Sequence, residues 1–325
     1  MEIIKVQNVT KLFKQSVKGT ISFFPSSKIS DKTFKAVDDV SFSIEEGEFI
    51  GFIGPNGAGK STTLKMLSGI LAPTHGTIKI LGFNPVERHY EFLSSISMVM
   101  GNKFQINTEL PPIDTFDLHR VIYKLDKILC QARIDELASI LGIEEKLNTQ
   151  FKRLSLGEKM KCEVILSLLH NPKILFLDEP TIGLDIVSQK NLRDFLKKLN
   201  KDQGTTILLT SHYMEDVKEL CPRIILINKG KKLFDDSIDK MIKEYSDSKT
   251  TKFIINEPGI LLKLKTYVDL NYRFEIINLE DTEIKILVPN DMLSTFLSDV
   301  LGKFNINDLT ITEKPLEEIV RELYR

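Results

Sequence analysis

The stretch FIGFIGPNGAGKST, residues 49–62, constrains the fold more than any other part of this chain. A short apolar run ends in glycines, and a helical pattern begins at Lys60. That is the strand, loop and helix order of G-x-x-x-x-G-K-[ST], met at Gly54, Gly59, Lys60 and Ser61. Glycines let the backbone curl until successive N–H groups point inward at phosphate oxygens. The helix that follows turns its N-terminus, with unpaired N–H groups and a positive dipole end, on the same anion. Gly54, Pro55, Asn56, Gly57, Ala58, Gly59, Lys60, Ser61 and Thr62 are therefore the expected phosphate-binding set. Lys60 can neutralise the outer phosphates of a nucleotide, and the Ser61 hydroxyl can ligate Mg²⁺.

A loop of this kind needs a sheet edge, and the chain supplies the strands. ILFL, TILL and IILI are short, nearly continuous apolar runs separated by helical stretches. That alternation predicts a parallel sheet buried on both faces. The first run continues as ILFLDEPT, which delivers two acids to the carboxyl edge where open α/β sheets bind ligands. Asp178 is suited to hold Mg²⁺, directly or through water, and Glu179 to orient and deprotonate an attacking water.

Elsewhere the pattern sets the domain organisation. IIKVQNV, AVDDVSFSI, TIKIL and SISMVM read as strands. Residues 14–35, polar, basic and broken by Gly and Pro, read as an inserted loop. The stretch from about Leu110 to His170 is mostly helical in pattern, giving a helical subdomain of about 105–170. Past the polar run near Tyr245, strand-like KFIIN, RFEIIN, EIKILV and LTITE accompany helical DMLSTFLSDVL and PLEEIVRELY. The expected division is a main domain over 1–245 and a small α+β accessory domain over 246–325.

Composition removes several alternatives. A net charge of -1 gives no reason to expect nucleic-acid binding. No apolar run approaches the roughly 20 residues that span a bilayer. MEIIKVQNVTKLF has no apolar core followed by a cleavage site, so no leader is expected. Cys130, Cys162 and Cys221 are far apart and odd in number, as ordinary thiols in a reducing compartment. The five histidines have no metal-ligand spacing.

With LSLGEKMK between the two phosphate-site motifs, and GLD and TSH after them, the sequence resembles the ATP-binding cassette family, the ATPase subunits of ABC transporters. The resemblance runs from about Ile3 to Lys240 with the motifs in family order. It implies a P-loop NTPase core of mainly parallel sheet, with an antiparallel β subdomain and an inserted helical subdomain. It implies ATP and Mg²⁺ as ligands. The signature L-S-x-G-x falls on Leu154–Glu158. Ser155, Gly157 and a helix N-terminus there would form a second anion site, used against the nucleotide held by the other protomer of a head-to-tail dimer. A plain N-cap before an amphipathic helix also explains LSLGE, and Glu158 departs from the common Gln. His212 matches the switch histidine that contacts the γ-phosphate and steadies Glu179. Asp185 matches the loop that crosses the dimer interface, and it also reads as a helix N-cap.

Phe13 sits where the family places a ring against adenine, and Phe34 is its rival. The family's metal-binding loop glutamine falls on Asn102, whose stem is one methylene shorter. Asn102 acts through a water, Gln105 substitutes for it, or neither touches the metal. GPNGAGKSTTLKMLSGIL, the NKFQINTELPP stretch and the ITEKPLEEIVRELY tail are similar to the ATPases of drug and polyketide exporters. Those work with a separate integral-membrane permease, as homodimers or paired with a paralogue, on the cytoplasmic face of the membrane. The rival expectation is a soluble ATPase of the same family that remodels or regulates a cytosolic partner.

Overall fold

The computed structural model describes residues 1–15, 32–101 and 103–324. They form two compact units, Met1–Asp236 and Ser237–Arg325. Among the described residues no helix is long and apolar enough to cross a membrane.

The first unit opens with two long antiparallel strands, β1 (Glu2–Gln15) and β2 (Lys32–Glu45). Their inward pairs are apolar: Ile4 faces Ile44, Val6 faces Phe42 and Val9 faces Val40. Then come β3 (Phe49–Ile53), α1 (Lys60–Leu67) and β4 (His75–Ile80), which pairs antiparallel with β1. The strands β2-β1-β4 form one sheet. The chain continues through α2 (Tyr90–Leu93), β5 (Ile96–Met100), α3 (Pro112–Ile122), α4 (Lys127–Leu141) and α5 (Leu156–Leu168). β6 (Ile174–Asp178), α6 (Ile186–Gln203), β7 (Thr206–Thr210), α7 (Met214–Leu220), β8 (Arg223–Asn228) and β9 (Lys231–Ser237) follow.

The second sheet has the order β5-β6-β7-β3-β8-β9, with β5 through β8 paired in parallel. The runs FIGFI, ILFLD and TILLT are buried at every position, as strands covered on both faces must be. Phe42, Phe52, Leu64, Leu67, Phe92 and Phe176 belong to one core that joins the antiparallel sheet, α1 and the parallel sheet. Parallel strands place the ends of β3, β5, β6 and β7 along one edge, where the phosphate loop begins.

Two sequence expectations change. The polar stretch at 14–35 is not wholly a loop: Lys14 pairs with Thr33 and Gln15 with Lys32, so both strands run into it. Backbone pairing at an exposed strand end needs no alternating side chains. The rest of that stretch, 16–31, and the predicted metal ligand Asn102 lie outside the described residues. The chain also divides between Asp236 and Ser237 rather than at Tyr245. α8 (Ile238–Tyr245) is amphipathic, buries Ile238 and Met241 and belongs to the second unit.

The second unit continues with β10 (Ser248–Ile254), α9 (Pro258–Asn271), β11 (Ile276–Leu279), β12 (Glu283–Pro289), α10 (Leu293–Lys303), β13 (Asp308–Glu313) and α11 (Leu316–Leu323). Its antiparallel sheet has the order β11-β12-β10-β13, a split β-α-β pattern. β12 alternates strictly, burying Ile284, Ile286 and Val288 against Leu264, Val268, Phe296 and Val300.

Candidate nucleotide site

The phosphate loop leaves β3 at Gly54. A Cβ on Gly59 would collide with the Ala36 carbonyl oxygen, and its φ of 108° suits glycine alone. Lys60 is buried and folds back over the loop, donating to Gly54 O at 2.7 Å and Pro55 O at 3.2 Å. Burial lowers its pKa, while Glu179 and Asp178 pull the other way. The ammonium is thus held over the loop by its two carbonyl bonds. Phe13 and Phe34 are cross-strand neighbours on β1 and β2. With Ala36, the loop and Glu179 they line one open recess of about 260 Å³. Both rings, not one, stand beside the phosphate loop, 40% and 55% exposed.

The acids are fixed from below by β7. Asp178 Oδ1 accepts from Thr210 Oγ1 at 2.7 Å and from Ser61 Oγ at 3.1 Å. Glu179 has a left-handed backbone, φ 57°, held by N–H bonds to Thr210 O and Oγ1, both 3.1 Å. A non-glycine residue in that conformation carries local strain, which the surrounding contacts must outweigh. Its Oε1 lies 2.6 Å from His212 Nε2. Gly101, at the end of β5, donates its N–H to Asp178 O at 2.8 Å, and a Cβ there would overlap the Glu179 carbonyl oxygen.

A buried carboxylate then ties the segments on either side of this pair. Asp216 accepts from Thr181 Oγ1 (2.5 Å), Ser211 Oγ (3.0 Å) and Arg193 Nη1 (2.8 Å). Thr181 follows Glu179 and Ser211 precedes His212, so one acid fastens both arms. Sequence reasoning passed over Asp216, Thr210 and Gly101. Only the T and S of the DEPT and TSH runs hinted at partners.

Ser155, Gly157 and Asp185 are not among the residues lining the recess. They gather at the N-termini of α5 and α6. Ser155 caps α5 in a reciprocal capping box with Glu158: Glu158 N–H donates to Ser155 Oγ (3.2 Å), and Ser155 N–H to Glu158 Oε2 (2.8 Å). Asp185 caps α6 through Ser188 N–H and Oγ, bonds that lower its pKa. A Cβ on Gly157 would stand 2.9 Å from Ser188 Oγ, so the two caps pack closely. Gln105 turns its amide nitrogen to Met98 O at 2.8 Å, back along β5.

The donor set fits a hard, hydrated cation. Among the described residues no cluster of three or more His, Cys, Asp or Glu could hold a metal. Ser61 Oγ and Asp178 Oδ1 offer two oxygens beside the phosphate loop, leaving other positions to phosphate oxygens and water, as Mg²⁺ prefers.

Residues 37–182 match a family model described as ABC transporter. The ABC transporter ATP-binding protein NatA of Bacillus subtilis is 34% identical over 210 residues, 65% of this chain and 85% of that protein. The bacitracin transport ATP-binding protein BcrA of Bacillus licheniformis is 34% identical over 64% of this chain and 67% of its own. Among solved structures, the dimeric post-hydrolysis state of the ATP-binding cassette MJ0796, bound to ADP and Pi, matches with a TM-score of 0.62. It is 25% identical over 73% of this chain and 99% of that one.

Proposed function

The chain belongs to the ATP-binding proteins of ABC transporters, and from that premise we propose that two copies, or one copy and a paralogue, close head to tail on two Mg·ATP. Closure drives a separate permease chain in the export direction. The first unit does the nucleotide work, and the second is accessory to it. The observation that carries the reading is the separation of two half-sites. The phosphate loop and Glu179 line one recess, with Asp178 bonded to Ser61 and His212 to Glu179 beside it, while Ser155, Gly157 and Asp185 pack together at the starts of two helices away from its lining. A second chain can bring its own Ser155 and Gly157 to the open side.

Within one half-site the roles follow from geometry. Loop N–H groups and Lys60 bind the phosphates. Ser61 and Asp178 would hold Mg²⁺, which supplies neutralisation of phosphate charge when bound. Glu179 orients the water and accepts its proton, and His212 fixes the Glu179 carboxylate at 2.6 Å. Phe13 and Phe34 flank the base. Most of the rate then comes from positioning, since phosphoryl transfer needs little covalent help.

Support for a membrane partner comes from the helices between β5 and β6. Leu118, Val121 and Ile122 of α3 and Ile128 and Leu129 of α4 are all more than half exposed, an apolar surface suited to a permease loop. Such a protein sits peripherally on the cytoplasmic face. The names of relatives such as BcrA favour transport over a soluble remodelling role.

Glu179→Gln tests the reading. The variant should bind ATP, accumulate as an ATP-bound dimer on size exclusion and lose turnover. Wild-type hydrolysis in that variant would remove Glu179 from its role. Membrane fractionation tests the partner: a chain that stays soluble when its permease is co-expressed would favour the remodelling alternative.

A further inference from the structure

Glu163 is an acid buried where the chemistry above does not use it. It stands on α5, completely shielded from solvent. Two consecutive residues of the loop leaving β5 donate to its Oε1: Gln105 N–H at 2.7 Å and Ile106 N–H at 2.9 Å. Its Oε2 has no partner among the described residues. Burial pushes the carboxyl up to about 7, opposed by those two bonds. An apolar side chain would sit here at less cost, but it could not grip two backbone amides.

What the grip joins matters more than the grip itself. The loop starts at Gly101, bonded to Asp178 O and packed on Glu179 O. α5 starts at Ser155 and Gly157. Farther along, the same loop is fastened to the segment just before α5: Phe151 N–H donates to Leu110 O and Lys152 N–H to Thr108 O, both 3.0 Å. Phe104 sets its ring edge-on to Phe151, centroids 5.4 Å apart. The two backbone bonds hold the far part of the loop, and the Phe104 ring and the Gln105 amide on Met98 O steady its near part. Among the described residues, the Glu163 carboxyl is what ties the backbone N–H groups of Gln105 and Ile106 to α5.

We propose that Glu163 is a positioning residue that clamps Gln105 and Ile106 to α5, so that a shift of the loop beside Asp178 and Glu179 is carried to Ser155 and Gly157. This rests on the assignment of hydrolysis to Glu179 and of Ser155 and Gly157 to the partner's nucleotide. A nucleotide bound in one half-site would thereby set the geometry offered to the other.

The test uses the full chain. Glu163→Ala removes the acceptor; Glu163→Gln keeps an oxygen for both N–H groups. The Ala variant should bind Mg·ATP within about threefold of wild type and lose about tenfold in kcat with KM nearly unchanged. Hydrogen exchange should quicken at Gln105 and Ile106. The Gln variant should recover kcat to within about threefold and keep those amides slow. Wild-type kcat in the Ala variant, or a loss that Gln does not restore, overturns the proposal. So does a loss of ATP affinity and melting temperature in step with kcat, the mark of a merely structural residue. If the Ala variant does not fold, Glu163→Asp, which withdraws the carboxylate by one methylene, replaces it with the same expectations. Glu179→Gln is run alongside. Full turnover there sinks the underlying assignment, whereas an inactive Glu179→Gln beside an unaffected Glu163→Ala sinks the coupling alone.

Discussion

Gly101→Ala is a one-carbon change aimed at the backbone of Glu179. The new Cβ would overlap the Glu179 carbonyl oxygen and stand 3.0 Å from both the Glu179 carbonyl carbon and Ile182 Cγ2. Carbon atoms settle at about 3.5–4.0 Å, so the gap must open by about half an ångström at the carbons and by more at the oxygen. Gly101 is tethered by its N–H to Asp178 O at 2.8 Å and sits in no left-handed conformation. The softer side is Glu179, already held at φ 57° by two bonds to Thr210. Relief therefore falls on the peptide that aims the carboxylate at His212. A misplacement of about 1 Å costs on the order of 10²-fold in rate, while overpacking costs about 1–3 kcal/mol of stability. The phosphate loop follows β3, with β7 between β3 and β6, and none of its atoms is among the nearest neighbours of the new Cβ. ATP titration and steady-state phosphate release on the same preparation should give near-normal affinity and turnover reduced about a hundredfold. Turnover within threefold of wild type would mean that the Glu179 backbone does not set the rate.

Three further outcomes can be checked on single variants. Lys60→Ala removes charge-assisted bonds worth about 1.5–3 kcal/mol each, so calorimetry should record ATP affinity weakened about 10- to 100-fold; unchanged affinity contradicts the phosphate-loop assignment. Phe13→Ala and Phe34→Ala should each weaken ATP binding about fivefold if both rings stack, at about 1 kcal/mol apiece; a loss confined to one names the ring that carries the base. His119 Nε2 lies 3.2 Å from His170 Nδ1, and burial, then the His170 charge, lowers its pKa to about 4. Unfolding lets it bind a proton below its ordinary value of 6.5, so stability is present above that pH and is lost as pH falls from about 6.5 toward 4. The loss is at most about 3 kcal/mol. Melting temperatures from pH 7.5 to 5 should fall less steeply for His119→Phe than for wild type, and parallel slopes would exclude His119 as the source.

What was legible in the sequence follows the range over which its physics acts. The phosphate loop is local: its glycines, lysine and serine sit within one turn of chain, and so do Asp178 and Glu179 at a strand end. FIGFI, ILFLD and TILLT announced buried strands because every side chain in them meets a covered face. Partnerships across long separations left no such mark. Thr210 reads as the last residue of an apolar strand, yet it braces both acids. Asp216 lies in MEDV, an unremarked helical turn, yet it joins the arms of the site. α9 was missed although Leu261, Leu264 and Val268 have helical spacing, because exposed Leu262 blurred the stripe into a plain apolar run.

The loop VMGNKFQ sharpens the point, because its side-chain amides draw attention first. Gln105 carries the longer amide, but that amide is spent on Met98 O. The atoms that link this loop to the acids and to α5 are backbone: the Gly101 N–H, the bare Gly101 Cα against Glu179, and the Gln105 and Ile106 N–H groups on Glu163. Backbone donors have no letter in a sequence. Only their partners do, and Glu163 sits in CEVILSLL, where helical periodicity offers it as one polar residue among apolar neighbours. A glycine next to a strand end and an acid inside an apolar helix face are each weak signals alone. Together they mark a loop whose path is fixed at both ends, the condition under which a small displacement beside a nucleotide can move a helix start far along the chain.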